Sequence, residues 1–268
     1  MRHEDVRPVV VDDGSGDPHT IEALARLERS GVEVVRQPHG GLPAALMTGV
    51  RATASRYLFR LDADDIAEPG AVAALADALD ADPEAALAWG DIQTFGLTTF
   101  RVPSVPVLDP WHVTLVNVLP AGSMFRRSAL VEAGGWRIGS RIEDWDLLMA
   151  LAERGCRGIY LPRVVYRYRR GDTGVMANIA AHFDEYYEEI KAAHPRLFAE
   201  QARNRRRSPA PWALKALLPL VAGMPGPSRL TRVQVAQVLT HVFWNGGIRA
   251  AAPIVAQGIR IRLRSPGG

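Results

Sequence analysis

The residues best suited to chemistry lie in YLFRLDADDIAEP, residues 57–69, where Asp62, Asp64 and Asp65 follow a short apolar run. Like charges crowded at the end of a strand repel one another and cost free energy unless something positive joins them. Turn formation does not require three carboxylates in four residues, so the cluster points to a hard divalent cation. Mg²⁺ characteristically takes one or two carboxylates together with substrate phosphates, which suggests a nucleoside diphosphate bridged to protein by metal. A second acidic pair, Glu143 and Asp144, opens the helical pattern of residues 145–154. In a first helical turn such residues offset the helix dipole, whereas within reach of an acceptor hydroxyl a carboxylate serves as general base. The third feature, VVVDDGS at residues 9–15, is also what an ordinary strand-to-helix turn prefers.

The surrounding patterns must position these groups. Strand-like runs at residues 6–11, 32–35, 57–61 and 86–89 alternate with helical spacing at 19–30, 44–54 and 70–79, which predicts an α/β layer structure. Gly90 and Asp91 read as another exposed acidic strand end. Three strands ending in Asp are expected to bring those ends to one crevice, at the edge where open α/β sheets collect ligands. Pro103, Pro106 and Pro110 interrupt the pattern from residue 95 to 119, predicting a long excursion over the surface that, with residues 171–181, forms acceptor loops. Helices are expected at 128–133, 145–154 and 180–194, with a last strand at 158–165.

With 268 residues, 47% of them apolar and 23% charged, the chain can bury a full core. The single Cys156 excludes an internal disulfide and a thiolate metal site, and fits a reducing compartment. No secretory signal is read at the amino terminus, so a cytoplasmic location is expected. Residues 201–268 carry ten Arg and one Lys with no Asp or Glu, leaving residues 1–200 net acidic. That is not the footprint of a nucleic-acid-binding domain, in which the folded recognition surface is basic. We divide the chain into a body, 1–200, and a basic, apolar helical tail, 201–268. Neither apolar tail segment reaches the roughly 20 uninterrupted apolar residues needed to cross a bilayer. The tail therefore reads either as a basic amphipathic helix on the inner face of the cell membrane, or as a helical lid packed on the body or a second subunit.

VVVDDGSGD, HGGLPAALMTGVRATASRYLFRLDADD, MFRRSALVEAGGW and EDWDLLMALAERG occur here in one order. Together they resemble the family 2 glycosyltransferases of the GT-A fold, over roughly residues 6–172. The resemblance implies an α/β fold with an open mixed sheet flanked by helices. It implies that Asp12 and Asp13 face the nucleotide base, with Gly41, Asp62 and Ala63 also on the donor side. Asp62 and Asp64 match the Asp-x-Asp motif that holds ribose and a Mn²⁺ or Mg²⁺ ion, with Asp65 as an alternative ligand. Asp144 matches the catalytic base of an inverting enzyme, and Glu143, Trp145, Arg126 and Arg169 fall on the acceptor or phosphate side. The implied partners are a nucleoside-diphosphate sugar and a glycan or lipid-linked acceptor, in cell-surface polysaccharide or glycolipid synthesis.

Three features depart from the family pattern. Only Met1–Asp5 stand where members have a strand and helix before VVVDDGS. That strand lies inside the sheet, so its loss predicts unpaired backbone there and keeps open a second reading, an impaired nucleotide-sugar-binding or scaffold relic. Leu46 and Met47 replace a frequent Arg-Asn, and Arg169 stands where many members place a His. A phosphoryl-transfer reading of DADDI is disfavoured because the only lysines are Lys191 and Lys215.

Overall fold

The computed structural model describes residues 6–117, 119–170, 182–224 and 228–244. The β-branched run Val9–Asp12 forms strand β1. Helix α1 (Pro18–Arg29) starts at Asp17, whose carboxylate accepts the Thr20 N–H at 2.8 Å, with Pro18 at the first helical position. Strand β2 (Glu33–Arg36) pairs parallel to β1, and α2 (Leu42–Ala52) follows. Among the described residues these two strands pair only with each other. The sheet is thus divided among its amino-terminal strands, the region where the resemblance leads one to expect a further strand. Helix α2 spans the division, since it packs on β1 while Val50 joins the core of the larger sheet.

That larger sheet contains β3 (Tyr57–Phe59), β4 (Ile66–Ala67), β5 (Ala85–Gly96), β6 (Arg101–Val102), β7 (Met124–Arg126) and β8 (Arg157–Arg170), ordered β3-β7-β5-β8-β4 with β6 on β5. It is mixed, because β5 and β8 run parallel while β7 opposes both β3 and β5. Ala85 and Ala88 of β5 face helix α3 (Ala71–Ala81). Leu87 and Trp89 face the opposite core, with α4 (Arg127–Glu132) and α5 (Glu143–Glu153). A strand covered on both faces explains the unbroken apolar run that opens β5.

Two expectations are corrected here. Strand β5 continues through Asp91 to Gly96, so Asp91 is no exposed end. It is fully buried, with its carboxylate held by Arg101, the Ser104 N–H at 2.9 Å and the Tyr160 hydroxyl at 2.6 Å. Gly90 permits the bulge beside it, because a Cβ there would stand 2.6 Å from the Arg163 carbonyl. Secondly, the segment after β5 is not a surface excursion. Val105, Leu108, Trp111, Val113 and Val116 are buried, and the Trp89 indole donates to the Val105 carbonyl at 2.9 Å. The prolines end regular structure without bringing the chain out of the core.

Beyond β8, residues 171–181, expected to form an acceptor loop, lie outside the described residues. Helices α6 (Phe183–Ala193), α7 (Pro195–Ala199), α8 (Gln201–Arg207), α9 (Trp212–Ala222) and α10 (Arg229–Trp244) complete the fold. Leu214, Leu218, Val233 and Ala236 share the core of Trp111 and Trp145. Polar contacts reinforce the seam, with the Ser208 hydroxyl on Asp109 and His112 Nε2 2.8 Å from the Thr240 hydroxyl. Burial pushes the His112 imidazole down to about 3, so it stays neutral in this contact. No helix among the described residues is long and apolar enough to cross a membrane.

Candidate functional site

The LDADD turn follows β3 and is tied to α5 by a residue that motif reasoning passed over. Arg60 has only 4% of its side chain exposed. Its guanidinium lies 3.1 Å from Asp62 and 3.2 Å from Glu143, and donates to Asp144 as well. The apolar strand therefore delivers one buried cation to three carboxylates that come from segments about 80 residues apart. A charged residue inside the run YLFRL was the available signal. A buried guanidinium is tolerable only when paired in this way, and the charge-assisted bonds fix its orientation.

Three carboxylates sharing one cation cannot all be fully compensated. Asp144 keeps 28% side-chain exposure, yet its surroundings push its carboxyl up to about 7. Burial is the main cause, Arg60 opposes it, and the like charges of Glu143 and Asp62 add to it. The carboxylate is thus poised to gain or lose a proton near neutrality. Helix α5 is held firmly behind it. Asp146, two residues further along and on the buried side, accepts two bonds from Arg137 at 2.8 and 2.9 Å and lies 2.9 Å from His194 Nε2. Burial works against that charge, but the bonds from His194 and Arg137 outweigh it and hold the carboxyl below its usual range.

On the donor side, the Asp62 carbonyl accepts the Asp65 N–H at 3.0 Å, closing a turn over Ala63 and Asp64. Ala63 and Asp64 are exposed. Arg169 lies across this turn: its backbone N–H donates to Asp65 at 2.9 Å, its Nε to the Asp64 carbonyl at 3.0 Å, and its guanidinium sits 4.5 Å from the Phe95 ring centroid. Burial, with the like charges of Asp62 and Asp64, raises the Asp65 carboxyl to about 6 against the pull of the Arg169 N–H. Among the described residues no three Asp, Glu, His or Cys side chains are grouped to hold a metal. Of Asp62 and Asp64, with Asp65 as the alternative, Asp62 turns to Arg60 and Asp65 to the Arg169 N–H. Asp64, exposed and without a side-chain partner among the described residues, is the free carboxylate. One or two hard oxygen donors still fit a cation whose other ligands come from a diphosphate.

The other expected residues divide by their contacts. The Asp13 carboxylate accepts the N–H groups of Gly40 and Gly41, each at 2.8 Å, and the Gln37 amide at 2.6 Å. With His39 Nδ1 at 2.9 Å, it organises the bend before α2. Gly41 has φ of +84°, a conformation open chiefly to glycine, so Asp13 and Gly41 build one turn together. Asp12 accepts the Ser15 N–H at 2.9 Å, and bonds from the Ser15 hydroxyl and then its N–H hold the carboxyl below the usual range. Trp145 and Arg126 leave the expected acceptor side. Trp145 is buried, its indole donating to the Val113 carbonyl at 2.6 Å, because α5 is enclosed by the core on nearly all sides. Arg126 pairs in register with Tyr57 at the opposite end of β3 from Asp62, and donates to the Leu79, Asp82 and Ala85 carbonyls around the end of α3.

Residues 2–131 match the sequence profile of glycosyl transferase family 2. Over this segment the chain is similar to that family. The match includes both LDADD and the Asp13 turn, while Asp144 lies beyond it. The O-antigen biosynthesis protein RfbC of Myxococcus xanthus is 27% identical over 229 residues, covering 81% of this chain and 17% of that protein. The chain therefore spans a small part of the length of this curated relative. The mannosyltransferase PcManGT from Pyrobaculum calidifontis, solved with GDP-Man and Mn²⁺, is 20% identical over 99% of this chain and 73% of its own, with a TM-score of 0.51. TarS residues 1–349 from S. aureus is 15% identical over 97% of this chain and 84% of its own, with a TM-score of 0.52. At these identities the likeness establishes the fold, that of the GT-A glycosyltransferases. The GT-A sheet thus places LDADD and the α5 carboxylates around Arg60.

Proposed function

We propose that the chain transfers a sugar from a nucleoside-diphosphate sugar to an acceptor hydroxyl, with inversion, in polysaccharide or glycolipid synthesis. The observation that carries this reading is the Asp144 carboxylate, raised toward neutrality beside the LDADD turn. Asp144 removes the acceptor proton as the hydroxyl attacks the anomeric carbon, and the nucleoside diphosphate departs from the opposite face. Arg60 holds Asp144 in place and joins it to the donor-side turn. Asp64, with Asp62 or Asp65, would hold a Mn²⁺ or Mg²⁺ ion. When bound, that ion offsets charge developing on the leaving group. Arg169 steadies the turn, and Asp12, Asp13 and Gly41 shape the base side.

The mannosyltransferase solved with GDP-Man and Mn²⁺ and the O-antigen relative support this substrate class and setting. A second reading, nucleotide-sugar binding without turnover, draws on the divided sheet. Incubating the chain with Mn²⁺ and candidate nucleotide sugars, and comparing donor binding with release of nucleoside diphosphate, separates the two. Binding without release in the presence of an acceptor extract supports the relic, whereas release that depends on Asp144 supports transfer.

We also propose that residues 1–200 form the catalytic body and 201–268 a tail, its described helices docked on the body, that reaches the inner face of the cell membrane. Trp212, Ala216, Leu220 and Met224 recur every four residues and are exposed, Trp212 by 83% and Leu220 by 66%. Such a stripe flanked by arginines is suited to the membrane interface.

A further inference from the structure

A cleft of about 440 Å³ opens between α6–α8 and the pair α9 and α10, within the size range of small-ligand pockets. Its floor is apolar, with Trp111, Phe198, Leu218 and Val233 among the residues that line it. Among the described residues its charged lining is all cationic: Lys191, Arg205, Arg229 and Arg232. Arg229 is compensated by Glu188 at 2.6 Å, and Lys191 approaches the same carboxylate at 3.4 Å. Arg205 and Arg232 meet no carboxylate among the described residues. A second hollow of about 320 Å³, lined by Ala202, Arg205, Arg206 and Lys215, adjoins the first through Arg205 and extends the positive surface.

Backbone chemistry holds these two arginines in place. Pro219 lies inside α9 and has no N–H to offer the Lys215 carbonyl one turn earlier. The Arg205 guanidinium supplies the missing donors to that carbonyl, at 2.6 and 3.0 Å. Arg232 likewise donates to the Met224 carbonyl, beyond the end of α9, at 2.9 Å. Each guanidinium carries five N–H donors, so most remain available to a ligand.

From this geometry we infer that the cleft binds a phosphate-headed lipid, its apolar chain on the floor and its phosphate on Arg205 and Arg232. Charge complementarity selects this occupant: an uncharged chain leaves the cations unused, and a free phosphate leaves the floor unfilled. The inference is independent of sugar transfer, because lipid binding can be read without any donor.

The test uses the full chain titrated with dodecyl phosphate below its micelle concentration, followed by calorimetry. Inorganic phosphate and dodecyl maltoside are the controls, supplying the head alone and the chain on a neutral head. One saturable site is expected, at least about tenfold tighter than either control, the factor equivalent to one modest charge-assisted bond. Ala222→Trp, at an exposed position lining the cleft, and Arg232→Gln should each weaken dodecyl phosphate about tenfold. Ala222→Trp lies away from the core, so a melting temperature close to the parent's keeps the comparison valid if Arg232→Gln fails to fold. Equal binding of either control, non-saturable uptake, or an unchanged affinity in Ala222→Trp overturns the inference.

Discussion

The crevice at LDADD and the cleft beneath the tail use charge in opposite ways. In the crevice, Asp62, Glu143 and Asp144 surround one buried cation, Arg60, and Asp64 has no side-chain partner among the described residues. Along the cleft, Arg205 and Arg232 occupy carbonyls, and no Asp or Glu occurs after Glu200 to neutralise them. Excess negative charge suits a cation-bearing ligand, and excess positive charge suits an anion. One chain thus separates two electrostatic tasks that would cancel if their residues were mixed.

The sharpest way to break this comparison is at Asp144. Asp144→Asn keeps the shape and removes the proton acceptor, so turnover should fall by about 10²-fold or more while calorimetry shows donor binding retained. Unchanged turnover would take Asp144 out of the mechanism. Arg60→Met tests the shared cation: leaving three carboxylates without it should cost about 3–5 kcal/mol, read as a large fall in melting temperature and denaturant midpoint. A melting temperature matching the parent's would mean that Arg60 does not hold the crevice together.

Metal removal tests the free carboxylate. Donor affinity measured in Mn²⁺ should drop at least about tenfold in excess chelator, and equal affinity would remove metal from the site.

The pH dependence tests the poise of Asp144. A base works deprotonated, so kcat/KM should rise with pH and level off above about 7. Its stability effect has the other sign. A carboxyl raised from 3.8 to about 7 holds its proton more tightly in the folded chain, so its contribution is fully present below about pH 4 and lost as pH rises through about 7. Asp144→Asn should therefore gain melting temperature relative to the parent at about pH 8 compared with about pH 4. The reverse trend would show that Arg60 controls the carboxylate more strongly than burial does.

The smallest effect is expected at the tail surface. Trp212→Ser with Leu220→Ser should reduce sedimentation with anionic liposomes while leaving melting unchanged, since both side chains face solvent. Undiminished sedimentation would place membrane contact elsewhere.

The sequence by itself determined the alternation of strands and helices, the acidic turn after β3 and the carboxylates opening α5. These follow from local spacing, turn chemistry and helix termini, which neighbouring residues dictate. The reversal of net charge at residue 201 was equally legible, because it is a matter of composition. Asp91 was misread because a strand that continues through a buried, paired carboxylate has the same short pattern as one that stops there. Trp145 and Arg126 were misplaced for a related reason: adjacency to a motif does not say which face a side chain takes. Only the tertiary structure joined Arg60 to Glu143 and Asp144, and aligned Arg205 with the carbonyl freed by Pro219. Such pairings depend on how distant segments pack, and packing leaves no periodic trace in the residues that later meet.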